Sequence, residues 1–459
     1  MSQDVHSYID THKQRFRDEL FDFLRIPSVS ARSEHNADTA RAAQWLADRT
    51  RELGMKVEVH STNGHPIIVA EYRDAGPQAP TILIYGHYDV QPVEPLDLWQ
   101  SPPFEPVIRD GKIFARGSVD DKGQLYLHVK AAEAHIKTAG KLPVNLVMVF
   151  EGEEEVGSEH LLPFVSAHAQ LLACDAVVIS DTAMLGLDTP SLDASLRGIS
   201  YCEIHVDGPA QDLHSGGYGG AVVNPATALA RIIASFHNEN WHAQIEGFYD
   251  DVDPAESFRA QLAKLPWKDE EFRAEAGSPT LHGEKDFSTL ERLLIRPTVE
   301  VNGLLSGYTG EGSKTVLPAH AMAKVSCRLV PNQDPQKIAE LFRKHVEQVA
   351  PEGVKVRVDY LHGGKPWRAN VQGPLYEAAA AAIEQGWGKQ PVYAGSGGSI
   401  PIVPEFESIL KAPALLMGFG LPGENAHAPN EWMGVAAFDK GLHACAELLT
   451  QLGTRLPRR

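Results

Sequence analysis

The sequence predicts an α/β protein with a mostly parallel sheet, helices on both faces of that sheet, and an inserted α+β domain. Continuous apolar segments of strand length, such as TILIYG, VNLVMVF and DAVVIS, alternate with helical segments up to about residue 197. Strands that are buried on both faces of a parallel sheet have this apolar character. From residue 198 the strands alternate in polarity, as half-exposed antiparallel strands do, and near residue 370 the first pattern returns.

A chain of 459 residues is too long for one compact core, so two domains are expected. We predict that residues 1–197 and 368–459 form the first domain and that residues 198–367 form the second.

The elements of the first domain follow from apolar periodicity and from end signals such as Gly54. The predicted helices are residues 3–25, 38–53, the segment GQLYLHVKAAEAHIKTAG, residues 158–171, the segment PLYEAAAAAIEQGWG and residues 434–452. The predicted strands are KVEVHS, IIVAEY, TILIYG, VNLVMVF, DAVVIS and ALLMGFG.

The second domain is predicted to combine the strands SYCEIHVDG, AKVSCRLVP and VKVRVDYLHG with the helices NPATALARIIASFHNE and DPQKIAELFRKHVEQVA. A stretch at about 238–290, rich in Trp and acidic residues, has no clear assignment from its pattern.

Composition excludes several classes of function. The formal net charge of −18 argues against binding to nucleic acid or to anionic membranes, because both demand basic patches. The four cysteines are far apart and form no C-x-x-C motif, so we expect free thiols rather than a zinc knuckle. No signal peptide and no apolar span of membrane length are recognisable, so a cytoplasmic protein is expected.

Polar residues follow the predicted strands at the points where the strands end. In an open parallel sheet these ends meet at one edge, where binding sites form. One His or Asp after a strand is usually a turn or cap residue, but here several converge. The residues are His87 and Asp89 after TILIYG, the segment EGEEEVGS (151–158) after VNLVMVF, Asp181 after DAVVIS, His427 beyond ALLMGFG, and Asp120 and Asp121 before a helix.

This set of side chains indicates a metal site. Imidazole with carboxylate suits Zn, Mn or Co, whereas Ca and Mg prefer oxygen ligands. Several anionic ligands with two His are balanced better by two divalent ions than by one. His87 and Asp89, two residues apart, suit a ligand and its orienting partner, and the adjacent Glu154 and Glu155 are expected to have different roles. By itself EGEEEVGS would read as a charged helix start.

As a set, ten segments resemble a metallopeptidase family. That family holds carnosinase-type dipeptidases, carboxypeptidase G and succinyl-diaminopimelate desuccinylases, and the chain is most similar to the cytosolic dipeptidase branch. The segments span residues 86–431 in the family's order and are GHYDVQPVEPLDLWQSPPFEP, ARGSVDDKGQ, EGEEEVGS, ISDT, DLHSG, GYTGEGSKTVLP, CRLVPN, HGGKPW, GGSIP and AHAPNE.

The resemblance implies a ligand set for two divalent ions, with Zn expected and Mn or Co possible. His87 and Asp181 would bind one ion, Glu155 and His427 the other, and Asp120 would bridge both. The first domain would accordingly be the metal-binding catalytic domain.

The resemblance also implies a mechanism of amide hydrolysis. Asp89 would orient His87, and Glu154 would be the general base toward a metal-bridging water, which is the nucleophile. The family usually has a cis peptide after the bridging aspartate, here before Asp121.

The second domain would be the lid and dimerisation domain of a homodimer. His214 would reach across the dimer to stabilise an oxyanion, and Arg328 would bind the substrate's C-terminal carboxylate. Further substrate contacts are implied for Asn302, His362, Gly397, Gly398 and Ser399.

One departure from the dipeptidase pattern concerns the substrate. Those enzymes carry an acidic residue just before GGSIP, suited to a free amino group, and here Ser396 stands in that place. The leading hypothesis is a metallopeptidase that hydrolyses dipeptides or small peptides with a free C-terminal carboxylate. The alternatives are an N-acyl-amino-acid deacylase on the same scaffold and a non-catalytic dimeric binding protein.

Overall fold

The computed structural model describes residues 2–253, 256–398 and 400–457. It divides into two compact units, which we call unit 1 and unit 2. Unit 1 comprises Met1–Ala194, Ala369–Ala394 and Ile402–Arg459, and unit 2 comprises Ser195–Arg368 and Gly395–Pro401.

The α-helices of the described residues, in chain order, are α1 Ser2–Leu24, α2 Asn36–Arg51, α3 Lys122–Ala139, α4 Leu161–Ala167, α5 Ser215–Tyr218, α6 Pro225–Ala234, α7 Glu256–Leu262, α8 Asp269–Glu275, α9 Thr289–Leu294, α10 Pro335–Val349, α11 Pro374–Trp387, α12 Ile402–Leu410 and α13 Val435–Arg455. Short 3₁₀ helices lie at Ser33–His35, Leu96–Leu98 and Glu154–Val156.

The strands of the described residues are β1 Lys56–His60, β2 Ile67–Tyr72, β3 Thr81–His87, β4 Val107–Arg109, β5 Lys112–Phe114, β6 Asn145–Glu151, β7 Ala176–Ile179, β8 Ser191–Leu196, β9 Gly198–Asp207, β10 Leu213–His214, β11 Thr298–Ser306, β12 Val316–Leu317, β13 His320–Leu329, β14 Lys355–Gly364, β15 Trp367–Arg368, β16 Val392–Ser396, β17 Ala414–Leu416 and β18 Trp432–Gly434.

The large sheet of unit 1 confirms the predicted α/β class. Its strand order runs β1-β2-β6-β3-β7-β17-β8. The four central strands β6, β3, β7 and β17 are parallel, and β6 is buried along its whole length. The flanking strands differ from a purely parallel arrangement, because β1, β2 and β8 pair antiparallel with their neighbours. Parallel central strands place their carboxyl ends at one edge of the sheet.

Two elements of unit 1 are shorter than their sequence patterns predict. Helix α4 covers Leu161–Ala167 instead of residues 158–171, because Ser158 has a φ of 52° and cannot lie in a right-handed helix. Strand β17 covers three residues, Ala414–Leu416, although the apolar segment continues to Gly420. Apolar character therefore predicts burial better than it predicts the length of an element.

Unit 2 contains a four-stranded antiparallel sheet in the order β11-β13-β9-β14. Helices α6 and α10 pack on one face of it, where Ile204, Leu229, Val325 and Phe342 are fully or almost fully buried. Burial alternates along β9, as the alternating polarity of SYCEIHVDG predicts. The side chains that alternate with these core residues along each strand, including Arg328 of β13, therefore lie on the opposite face of the sheet.

The stretch at about 238–290, which the sequence pattern leaves unassigned, contains a hairpin turn and two short helices, α7 and α8. Ala243, Ile245 and Phe248 from its first part join the main core of unit 2. Leu262 of α7 instead packs with Leu290 and Leu294 in a small separate core. Helix α9 begins with a capping box in which the Ser288 side chain accepts from the Glu291 N–H and the Glu291 carboxylate accepts from the Ser288 N–H.

In the ranges that the structure describes, no helix combines the length and the apolar character that a membrane crossing requires.

Candidate metal centre

The carboxyl ends of three parallel strands bring the predicted residues of unit 1 together. Strand β3 ends at His87, which lies opposite Glu151 at the end of β6, and Asp181 follows the end of β7 by two residues. Directly before His87, a Cβ on Gly86 would lie only 2.8 Å from the carboxylate of Asp121. Glycine is therefore required there for close approach of the Asp121 segment.

His87, Asp120 and Asp181 form the first cluster of possible metal ligands. One ligand atom from each of the three lies within 4.8 Å of the others. The His87 Nε2 atom is 3.1 Å from Asp120 Oδ1 and 3.8 Å from Asp181 Oδ2. This cluster is the first half of the set that the resemblance implies.

Asp120, Glu155 and His427 form the second cluster, again with ligand atoms within 4.8 Å of one another. The His427 Nε2 atom is 2.8 Å from Asp120 Oδ2 and 3.2 Å from Glu155 Oε2. Asp120 thus directs one carboxylate oxygen to each cluster, which is the arrangement that a bridging ligand needs. The peptide bond between Asp120 and Asp121 is cis.

The donor set fits divalent cations. His87 is fully buried, and its Nε2 atom makes no hydrogen bond of acceptable geometry with any described residue, although Asp120 Oδ1 is near. Two imidazole nitrogens and several carboxylate oxygens point toward common centres, and these are ligand types that Zn, Mn and Co share. An orphaned buried nitrogen beside carboxylates is better explained by a metal ligand than by a structural histidine.

The electrostatics of the cluster reflect its crowded charges. Burial opposes ionisation of Asp120, but His427 and His87 hold the pKa of its carboxyl well below the ordinary value. Asp120 and Glu155 in turn raise the pKa of His427 to about 10. For Asp181, burial and then the charge of Asp120 raise the pKa well above the ordinary value. Cations at the centre would remove this conflict by stabilising every carboxylate in its charged form.

Asp89 has two structural tasks, although the sequence suggests only one. Its backbone carbonyl accepts from His87 Nδ1 at 3.1 Å, and its carboxylate lies 3.4 Å from the same nitrogen. The carboxylate oxygens also accept the backbone N–H groups of Glu154 and Glu155 at 3.3 and 3.1 Å. Asp89 thus fixes the tautomer of His87 and anchors the glutamate segment to β3.

The neighbouring glutamates Glu154 and Glu155 of that segment have different environments. The Glu155 carboxylate accepts from Gln91 Nε2 at 2.7 Å and faces His427. The Glu154 carboxylate has no hydrogen-bond partner among the described side chains, and burial together with the charges of Glu155 and Asp120 raises its pKa to about 7. Glu154 is therefore the carboxylate of this segment that could exchange a proton.

Two residues that support the site were missed by sequence reasoning. Glu431 is fully buried, and its carboxylate accepts the N–H groups of Val119 and Asp120 and pairs with Arg116 at 2.7 Å. It ends the segment AHAPNE, four residues after His427, so its position beside a ligand was the available signal. Gln91 follows Asp89 by two residues and holds Glu155.

The described residues that are predicted to contact substrate lie in unit 2, and none of them belongs to either ligand cluster. His214 is exposed on β10, Arg328 is partly buried on β13, Asn302 lies at a bulge of β11, and the His362 ring stacks on Tyr201 at 5.1 Å. In the glycine loop, the Gly397 carbonyl accepts from Arg197 Nε at 3.1 Å and the Gly398 N–H donates to Ser396 Oγ at 3.2 Å; Ser399 lies outside the described residues.

Comparison with known proteins identifies the family of this chain. Residues 83–451 match the model of peptidase family M20/M25/M40. The chain is 33% identical to the Cys-Gly metallodipeptidase dug1 of Schizosaccharomyces pombe, over 99% of this chain and 98% of that protein. It is 29% identical to the Beta-Ala-His dipeptidase of Rattus norvegicus, over 93% and 90% of the two chains.

A solved structure of an M20 family metallo-carboxypeptidase, Sso-CP2 from Sulfolobus solfataricus, shares the fold with a TM-score of 0.84. Sequence identity to it is 33%, and the match covers 96% of this chain and 99% of that one. Family model, relatives and fold agree over nearly the whole chain. The chain therefore belongs to peptidase family M20/M25/M40 and is a metallopeptidase, an amide hydrolase that depends on divalent metal ions.

Proposed function

We propose that the chain hydrolyses the amide bond of dipeptides or small peptides that have a free C-terminal carboxylate, with two divalent cations in each subunit. The observation that carries the proposal is the pair of ligand clusters that share Asp120 through its two carboxylate oxygens. Two-metal hydrolytic sites hold their ions ~3.5–4 Å apart and typically share a ligand in this way. Zinc suits the mixed imidazole and carboxylate set best.

In this proposal His87 and Asp181 hold one cation, Glu155 and His427 hold the other, and Asp120 contacts both. Divalent cations at these positions would lower the pKa of water and polarise the scissile carbonyl.

Glu154 performs the proton transfer of the proposed reaction. Its carboxylate accepts the proton of the attacking water and returns it to the leaving nitrogen of the amide, so that the amine departs neutral. A carboxylate held near the attacking water, but not occupied as a ligand, is what general base catalysis needs.

The substrate class is supported by the names of the relatives. The names of the two relatives state that one acts on Cys-Gly and the other on Beta-Ala-His, both dipeptides. Arg328 is the proposed partner of the substrate's C-terminal carboxylate, since a planar guanidinium can bind a carboxylate through two hydrogen bonds. Ser396 bonds within the glycine loop and supplies no negative charge for a free amino group. N-blocked substrates therefore belong in the test.

A substrate panel with controlled metal content tests this function. We expect the protein, freed of metal and reloaded with Zn or Mn, to hydrolyse Cys-Gly, Beta-Ala-His and Ala-Ala, and we expect a chelator to abolish turnover. The measurement is release of free amino acids, with N-acetyl-Ala-Ala and N-acetyl-Ala as blocked controls. Turnover that survives removal of the metal, or no turnover of any dipeptide, would contradict the proposal. Faster hydrolysis of N-acetyl-Ala would favour the deacylase alternative.

We further propose that the chain acts as a homodimer in which His214 of one protomer serves the metal centre of its partner. The Nδ1 atom of His214 accepts the N–H of Gly216 at 3.0 Å. The ring proton of the neutral imidazole must therefore lie on Nε2, which makes the exposed end of the ring a hydrogen-bond donor. Such a donor is what an oxyanion in the reaction requires.

Subunit complementation distinguishes action across the dimer from action within one chain. Glu154→Gln and His214→Ala are each expected to be nearly inactive alone. After mixing and subunit exchange, about a quarter of the wild-type activity should appear, because half of the dimers are mixed and each has one complete site. Activity of the exchanged mixture equal to the sum of the separate variants would show that His214 does not act on the partner. Sedimentation of the same samples measures the dimer itself.

A further inference from the structure

We propose that a cavity in unit 2 beside Arg328 binds the side chain of the substrate's C-terminal residue and selects a flat aromatic or imidazole ring. This inference rests on the proposed function, because it assumes that Arg328 binds the C-terminal carboxylate. It concerns the stretch at about 238–290, to which the ligand clusters and the proposed mechanism assign no role.

The cavity lies wholly within unit 2 and has a volume of about 370 Å³. Arg328 and Arg197 contribute to its wall, as do Glu300 and Asn302 from the exposed face of β11. Burial, and then the nearby charge of Arg328, lower the pKa of Arg197 to about 10. The charge of Glu300 offsets part of that effect on Arg197. A planar guanidinium such as that of Arg328 can bind a substrate carboxylate through two hydrogen bonds. The volume is of the size that holds a small ligand.

A second part of the wall is aromatic. His237, Trp241 and His282 all line the same cavity. The Trp241 ring meets His282 edge-on with a centroid separation of 4.5 Å, and it lies 5.5 Å from His237. Trp241 is nevertheless 47% exposed, so much of its indole surface is available to a ligand. Edge-to-face and stacked contacts with a further ring are the interactions that such a wall offers.

The backbone geometry of this tryptophan is unusual for a bulky residue. The residue lies in a tight turn in which the Trp241 N–H donates to the Asn238 carbonyl at 2.9 Å and the Asn238 N–H donates to the His242 carbonyl at 3.0 Å. The φ of Trp241 is 61°, a left-handed conformation that suits Gly or Asn and is unfavourable for a bulky residue. Strain of this kind is tolerated where the side chain has a task, and here the indole faces the cavity.

The other charged residues that line the cavity are Glu284, Arg292 and Arg296, and Arg292 donates to the Glu284 backbone carbonyl at 2.8 Å. Glu284 is held by Arg296 through two bonds of 2.6 and 2.9 Å, so these charges compensate each other. Burial lowers the pKa of His237, which favours its neutral ring at neutral pH. A neutral imidazole and an indole suit an uncharged flat ring better than a flexible aliphatic or charged chain.

The preference can be measured with dipeptides that share an N-terminal alanine. We expect the metal-loaded protein to hydrolyse Ala-Phe, Ala-Tyr and Ala-His with a kcat/KM that is ~10-fold or more above that of Ala-Gly, with Ala-Leu in between. In Trp241→Ala, the ratio of kcat/KM for Ala-Phe to that for Ala-Gly should fall by about 10-fold, mainly through KM. Trp241→Phe should restore most of the ratio.

The controls separate this inference from the proposed function. Tyr360→Ala removes a half-exposed ring from β14, at the opposite edge of the same sheet, and should leave the rates and their ratio unchanged. If no dipeptide is hydrolysed, the proposed function itself fails. If dipeptides are hydrolysed but the wild-type ratio is near one, or if Trp241→Ala and His282→Ala leave the ratio unchanged, only the subsite is disproved.

Discussion

Replacement of Asp120 by alanine is expected to abolish both metal binding and turnover. Asp120 is the one residue common to the two ligand clusters, and each of its carboxylate oxygens faces a different histidine. Without it each cluster retains only two of its three residues, too few for a stable site. Since metal catalysis contributes several kcal/mol, we expect kcat/KM to fall by roughly a thousandfold or more.

Metal content and activity must be measured on the same samples to test this expectation. Elemental analysis of Asp120→Ala after exposure to excess Zn should give far fewer ions per chain than the wild type binds. Asp74→Ala is the matched control. It removes an exposed aspartate that lies in a turn and belongs to neither ligand cluster, so this variant should retain its metal and its activity. Full metal occupancy in Asp120→Ala would mean that the carboxylate does not bridge the two clusters.

Replacement of Glu154 by glutamine is also expected to abolish turnover, but in this variant the metal should be retained. Glutamine preserves the size of the side chain but cannot accept the proton of the attacking water. Glu154 belongs to neither ligand cluster, so the ions should bind normally. General acid–base catalysis typically contributes 10²–10⁴-fold, and we expect kcat to fall by about that factor with little change in KM.

The control for Glu154→Gln is a glutamine replacement of a nearby exposed glutamate. Glu159 is an exposed glutamate five residues away, and Glu159→Gln changes the net charge by the same amount. It should retain wild-type kcat. If Glu154→Gln retained most of its activity at full metal occupancy, another group would have to carry the proton.

The sequence was sufficient to predict the parallel strands whose ends carry the candidate ligands. His87 ends β3, Glu155 follows β6 and Asp181 follows β7, and the geometry of parallel strands brings such ends to one edge. The prediction needed no knowledge of side-chain contacts, because strand direction and chain order determine at which edge of the sheet each residue lies. His427 was harder, since it follows its strand only after a loop and lies at a positive φ of 62°.

Other features depend on contacts that local patterns do not reveal. The antiparallel edges of the sheet are one example, because IIVAEY is apolar whichever direction its neighbour runs. The stretch at about 238–290 is another: its helices are short, and their apolar residues form a core only with Leu290 and Leu294 from the following helix. Glu431 was missed because a buried carboxylate has a recognisable role only when the four groups that donate to it are known.

Glu431 also links the two loops that carry His427 and Asp120. It lies four residues after His427, and it holds the N–H of Asp120 and the Arg116 guanidinium of a distant segment. Two segments that are 311 positions apart in the chain are thereby held together, and they carry Asp120 of both clusters and His427 of the second. The spacing from His427 to Glu431 should therefore tolerate no inserted or deleted residue. A designer who transplants this centre to another scaffold must move both loops together with Glu431, and not only the residues that face the ions.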